Sequence, residues 1–202
     1  STDDKKILSL YNSPHPSSAI LELKKLFEKN PNNVFINLIL GNVYGLQNQF
    51  NEAKIYQERA ISLNPFDETL YMNLSTTLEK QGNYKDSLRI LLYAEVINPD
   101  RHEVQLSLAR TYFKIKNYTR AQFFYEKIIK KKNDTKIKFE YCRKLLTLNN
   151  IKTLFRVLNS IKHNENNFLE KLLIKGLAYF TEKKIDLAIE TFLEVLKLEK
   201  NE

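Results

Sequence analysis

Tryptophan is missing from this chain, and cysteine and methionine occur once each. A single cysteine, Cys142, rules out an internal disulfide. Its place on an apolar helical stripe reads as a buried small hydrophobe rather than a reactive thiol. Four glycines and five prolines are few for 202 residues. With so much Leu, Ile, Lys and Glu beside them, helix is the expected local structure. No apolar run nears the roughly 18 residues that a membrane helix needs. The three histidines, His15, His102 and His163, are scattered without Cys, Asp or Glu at ligand spacing, so neither metal nor cofactor is called for. A Gly-rich phosphate loop, Gly-x-Ser-x-Gly, His-Glu-x-x-His and paired cysteines are all lacking, which speaks against an enzyme. The opening Ser-Thr-Asp-Asp-Lys-Lys has no apolar stretch of the kind a signal peptide carries. Together with the cysteine count, this points to an intracellular, cytoplasmic protein. With no initiator Met at its start, the chain is expected to be a processed or excised piece.

What the sequence does have is a period. Pro31, Pro65 and Pro99 stand 34 residues apart, each preceded by Asn. Between them Gly41 aligns with Ser75, Ala53 with Ser87, and Ala60 with Ala94. A fixed period of this length is the mark of a repeat array, in which each unit packs on its neighbours. Charge is divided unevenly along the array. Residues 1–101 hold 11 basic and 12 acidic side chains, whereas residues 102–202 hold 21 and 12. Such an asymmetry bears on partners rather than on fold.

Each period reads as two helices. Residues 34–67 predict a helix over 34–46 with Leu40, Gly41 and Tyr44, a break at Gln47–Gln49, and a helix over 51–63 with Ala53, Tyr56 and Ala60. Small residues let the pair approach closely, aromatics fill the gap beside them, and the proline forbids continuation. Residues 68–101 repeat the pattern around Gly82-Asn83-Tyr84. In residues 102–135, Asn133 stands in for the proline. Residues 136–168 form a degraded unit whose second helix fits once a residue is dropped from the hairpin, placing Ile151, Leu154, Leu158 and Ile161 inward. Residues 169–202 recover the pattern. At the other end, residues 2–33 form a weak hairpin, with Ser17 or Ser18 expected to cap a helix over 18–29.

These positions together resemble the tetratricopeptide repeat family, most closely in 34–67 and 68–101. The resemblance implies an all-α, right-handed superhelical solenoid of antiparallel hairpins, one array over 1–202. It further implies that the first helix of each unit lines a concave groove. The groove would present Leu38, Asn42 and Leu46, then Met72, Asn73, Thr76 and Lys80. It would continue with Arg110, Phe113 and Lys114, then Glu140, Tyr141 and Lys144, and end with Leu173, Leu177 and Phe180. Some family members clamp a chaperone's C-terminal carboxylate with two asparagines and three basic residues. Asn42 and Asn73 match those asparagines, but Leu38, Glu103 and Ser107 stand where the cations belong. Lys80, Arg110, Lys114 and Lys144 offer a different basic set, suited to an acidic peptide.

The expected function is therefore a non-catalytic scaffold or adaptor holding a protein segment in its groove. One competing class is a structural subunit working through its ends and convex face. Another is a basic nucleic-acid-associated repeat protein, since the C-terminal half carries Lys130-Lys131-Lys132. A terminal repeat ordinarily needs a polar cap. The chain is accordingly expected to continue beyond Glu202 or to meet a partner there, a second copy included.

Overall fold

The computed structural model describes residues 2–12, 16–162 and 165–199. Twelve helices account for the regular structure among them. The first two are α1 (Thr2–Tyr11) and α2 (Pro16–Lys29). Then come α3 (Val34–Leu46) with α4 (Phe50–Leu63), α5 (Glu68–Lys80) with α6 (Tyr84–Ile97), and α7 (His102–Lys114) with α8 (Tyr118–Lys131). The last four are α9 (Thr135–Thr147), α10 (Ile151–Asn159), α11 (Glu165–Thr181) and α12 (Ile185–Glu199). α3 pairs with α4, α5 with α6, α9 with α10 and α11 with α12 as hairpins, and the chain divides into two compact units, residues 1–124 and 125–202. No helix among the described residues is long and apolar enough to cross a membrane.

The hairpins have a common chemistry. Crossing positions are small and buried: Gly41, Ser75, Ala109, Cys142 and Gly176 on the first helices, and Ala53, Ser87 and Ala121 on the second. A Cβ on Gly41 would lie 2.6 Å from Gln57 Cγ and 3.0 Å from the Ala53 carbonyl oxygen, so only glycine fits there. Five hairpin turns place one residue each in the left-handed region: Asn48, Gly82, Lys116, Asn149 and Lys183. The amide one residue further on reaches back five residues to close the helix, as from Asn83 to Leu78 at 2.8 Å and from Lys184 to Tyr179 at 2.9 Å. Gly82, and less strongly Asn48 and Asn149, are residue types that announce that conformation, whereas Lys116 and Lys183 are not.

The prolines do more than stop helices. Pro31, Pro65 and Pro99 each offer their carbonyl to the side chain six residues on, in the next helix. Asn37 Nδ2 donates to Pro31 at 2.9 Å, Tyr71 Oη to Pro65 at 3.0 Å and Gln105 Nε2 to Pro99 at 2.6 Å. Three residue types thus make one bond at one register, which explains how Asn37 serves where the family pattern has an aromatic. The amide nitrogens of buried Asn37 and Gln105 each have this partner, which offsets part of the cost of burying them, while Asn37 Oδ1 is buried without one.

The fourth unit corrects the sequence reading. Its hairpin keeps three connecting residues, Leu148, Asn149 and Asn150. The missing residue comes out of the loop before α9, where only Lys132, Asn133 and Asp134 lie between helices, against four residues before α5 and α7. The N-caps move with it: Asn33, Asp67 and Arg101 are 34 apart, but the next is Asp134, whose carboxylate accepts from Ile137 N at 3.1 Å. One residue is 100° around a helix. The first-helix assignments in 136–168 therefore rotate, while Ile151, Leu154, Leu158 and Ile161 are buried as expected. Near the N-terminus, α2 begins at Pro16, so Ser17 and Ser18 lie inside its first turn rather than capping it. Proline suits that first position because its missing N–H would have no partner there. His15 and His163, and the turns around them, lie outside the described residues.

Candidate functional site

In the first unit, α3 and α5 bring five of the expected groove residues together. Asn42, Leu46, Asn73, Thr76 and Lys80 line one pocket of about 100 Å³ together with Tyr11 and Gln57. Helical spacing accounts for this: Asn73, Thr76 and Lys80 are three and four apart on α5, and Asn42 and Leu46 do the same on α3.

Hydrogen bonding fixes what each side chain can offer. Gln57 occupies the second-helix slot beside Gly41 and is buried, and its Nε2 donates to Asn42 Oδ1 at 3.1 Å. The Asn42 oxygen is thereby engaged from inside, and its amide N–H groups are left for a ligand. Asn73 is arranged the other way, with Nδ2 donating to the Thr69 carbonyl at 2.8 Å and Oδ1 left as acceptor. Thr76 donates to the Met72 carbonyl at 3.0 Å and keeps its lone pairs. Lys80 is exposed and has no ion-pair partner among the described residues. The pocket therefore presents a donor, two acceptors and a cation within one or two turns of each other.

Arg110 and Lys114 follow on α7 of the same unit, both exposed. Arg110 holds the register of Asn42 and Thr76, and Lys114 that of Leu46 and Lys80. The Lys114 ammonium lies 5.9 Å from the Tyr84 ring centroid, a cation–π contact across adjacent hairpins. Phe113 is half-buried against Tyr118, with ring centroids 5.2 Å apart.

In the second unit the shortened loop changes the assignments. Tyr141 takes the core position that Leu108 holds in the preceding repeat and is 1% exposed. It stacks on Tyr125 at 4.9 Å and donates to Glu126 at 3.0 Å. Burial, then the neighbouring Glu126 carboxylate, pushes its phenol well above the usual tyrosine range. Tyr141 is thus a core residue, not a groove residue. The register of Arg110 passes to Arg143, which pairs with Glu170, and Lys144 moves to the register of Thr111, half-buried. Glu140 accepts from Tyr125 Oη at 2.6 Å and is likewise engaged. Cys142 is buried and unbridged, and burial pushes its thiol up to about 12. Sequence reasoning did not single out Gln57, the partner that orients Asn42, because its role depends on a contact between two helices.

Three stretches, residues 36–67, 102–135 and 172–202, match the family model for the tetratricopeptide repeat. The class that the hairpins define is therefore this one: the chain carries tetratricopeptide repeats. Residues 68–101, expected to be among the closest to the pattern, fall outside the matched stretches although they form the same hairpin. Similar solved structures include a tetratricopeptide repeat protein of Parabacteroides merdae, at 19% identity and TM-score 0.77, over 96% of this chain and 77% of that one. PilF of Pseudomonas aeruginosa is 17% identical with TM-score 0.73, over 98% and 91% of the two chains. YrrB, described as a tetratricopeptide repeat protein with an unusual peptide-binding site, is 14% identical with TM-score 0.69, over 88% and 92%. These identities speak for a common fold. No curated protein shows a significant sequence match.

Proposed function

We propose that this chain is a non-catalytic scaffold that holds an extended segment of a partner protein along the first-helix groove of its first unit. The observation carrying this reading is the pocket itself, with Asn42 turned to donate and Asn73 turned to accept. A peptide main chain offers a C=O and an N–H at every residue, and it is this pair of groups that the two asparagines complement. Lys80, with Arg110 and Lys114 in the following repeat, supplies the cations for carboxylates on that segment. The absence of cations at Leu38, Glu103 and Ser107 argues against the chaperone-tail clamp and for acidic residues within the ligand. That YrrB is described as having a peptide-binding site is consistent with this use of the fold.

The test is fluorescence anisotropy with a labelled library of acidic decapeptides. Asn73→Ala and Lys80→Ala are each expected to weaken the best binder about 10-fold or more, the loss of one hydrogen bond to or from a charged or main-chain group. Arg110→Glu with Lys114→Glu is expected to weaken it further and to flatten its salt dependence. A library that yields no binder, or variants that bind as the parent does, would refute the groove reading.

A further inference from the structure

The positive charge of this chain is gathered in one stretch. Residues 125–162 hold 11 basic and 3 acidic side chains and the other 164 residues hold 21 of each, so this stretch carries the whole net charge of +8. Its three carboxylates are all engaged. Glu126 accepts from Tyr141 at 3.0 Å and pairs with Arg156, Asp134 caps α9, and Glu140 accepts from Tyr125 at 2.6 Å. Both arginines are committed as well, Arg156 to Glu126 and Arg143 to Glu170. The surplus charge therefore rests on lysine alone.

The fold draws several of those lysines to one end of the second unit. Lys138 donates to Asn133 Oδ1 at 2.7 Å and to the Ser160 carbonyl at 3.1 Å, which fastens the loop after α8 to the end of α10. Lys171 of α11 donates to the adjoining Ile161 carbonyl at 2.9 Å. The carbonyls at the end of α10 are thus already served by cations. Lys130, Lys132, Lys136 and Lys162 lie within three residues of Asn133 or Ser160 and are exposed. None of these four has an ion-pair partner among the described residues.

We propose that this end of the second unit binds the phosphate backbone of a nucleic-acid duplex, without regard to sequence. Unpaired lysines are point charges that suit phosphates, whereas the planar guanidinium forks that would grip carboxylates at two points are taken. No large hydrophobic side chain of residues 125–162 is exposed. A membrane surface or a protein partner would need such a side chain to insert or to bury, and a phosphate backbone needs none. The four aromatic rings of the stretch are committed to packing: Tyr125 on Tyr141, Phe155 on Tyr179, and Phe139 in the core. Nothing is left on which an unstacked base could lie, so the ligand is a duplex rather than a single strand. The site shares no residue with the pocket of the first unit, so the two readings stand or fall separately.

Fluorescence anisotropy with labelled random-sequence duplexes of about 20 base pairs, DNA and RNA in turn, at about 50–200 mM salt decides it. Both are expected to bind with Kd of about 1–100 μM, the tighter one identifying the source of the backbone. Log affinity is expected to fall with log salt at a slope of about −3 to −4, as for four phosphate contacts. Lys130→Gln with Lys132→Gln is expected to reduce the magnitude of that slope by about 2 at unchanged helical circular dichroism. Lys130→Glu with Lys132→Glu is expected to weaken binding about 10-fold or more. Lys80→Ala, which tests the groove, is expected to leave duplex binding as it is. No binding of either duplex at the lowest salt overturns the proposal. So does a single strand that binds as tightly as the duplex, or a polyglutamate that displaces the duplex at equal charge. Phosphatidylserine vesicles that bind the chain more tightly, or loss of duplex binding with Lys80→Ala, overturn it as well.

Discussion

Single side chains decide how closely the helices of a hairpin approach. At Gly41 the second helix comes so near that Gln57 Cγ and the Ala53 carbonyl occupy the space a methyl group would take. Gln57 can shift, but the backbone oxygen cannot without moving α4. Gly41→Ala is therefore expected to lower stability by about 1–3 kcal/mol, measured by urea denaturation. It is also expected to loosen the Gln57–Asn42 bond and with it peptide binding, so that stability and affinity fall together. Gly176 differs: there the obstructing atoms are the ring of Phe192, the end of a rotatable side chain. Gly41 and Gly176 looked equivalent in sequence, because the period shows that a small residue is wanted but not what stands opposite it.

At the scale of the element, the N-terminus of α5 gathers a polar cluster that ties three segments together. Glu68 accepts from Arg101 at 2.6 Å and from Asn98 at 3.1 Å, and Arg101 also donates to Thr69 at 2.9 Å. The hydrogen bond from Arg101, aided by Glu68's own backbone N–H, holds the Glu68 carboxyl below the usual carboxylate range. A folded-state pKa below the unfolded one contributes stability that is complete above the ordinary carboxylate pKa and is lost as pH falls through the depressed value. Acid titration from about pH 5 toward pH 1, followed by circular dichroism, should show the parent losing stability along this slope. Glu68→Gln should be less stable at neutral pH and should show a shallower acid slope. Glu103, lowered first by its own backbone N–H and then by Arg101, keeps part of that slope in the variant. A variant with the parent's slope would remove Glu68 from the account. None of this could be read from periodicity, since Glu68 and Arg101 meet only once the hairpins stack.

At the scale of the whole molecule, the chain consists of two compact units whose repeats depart from one another in instructive ways. The fourth repeat is one residue short and holds a buried lysine. Lys138 takes the register of Gln105 but reaches further, donating to Asn133 Oδ1 at 2.7 Å and to the Ser160 carbonyl at 3.1 Å, the C-cap of α10. Lys138→Met preserves the apolar stem and removes both bonds. It is expected to destabilise the second unit by about 1–3 kcal/mol. Hydrogen exchange should show lost protection across 135–159 with little change in 34–63, because stability in repeat arrays is carried between neighbours. Equal loss in both regions would show the chain unfolding as one cooperative body.

The sequence by itself determined the class of fold and the 34-residue interval at which α3, α5 and α7 begin, and five of the residues it pointed to line one pocket. It could do so because a 34-residue period, a proline and a small-residue crossing are local requirements repeated in register. Tertiary structure decided the rest. A residue removed before α9 turned Tyr141 into the core and brought Arg143 to the groove register. Gln57 fixed which face of Asn42 is offered, and Glu68 and Arg101 became partners only where the hairpins stack. The physical reason is common to all three: a side chain's role is set by the neighbour it meets, and in a stacked array that neighbour lies on another helix, across the hairpin or a whole repeat away.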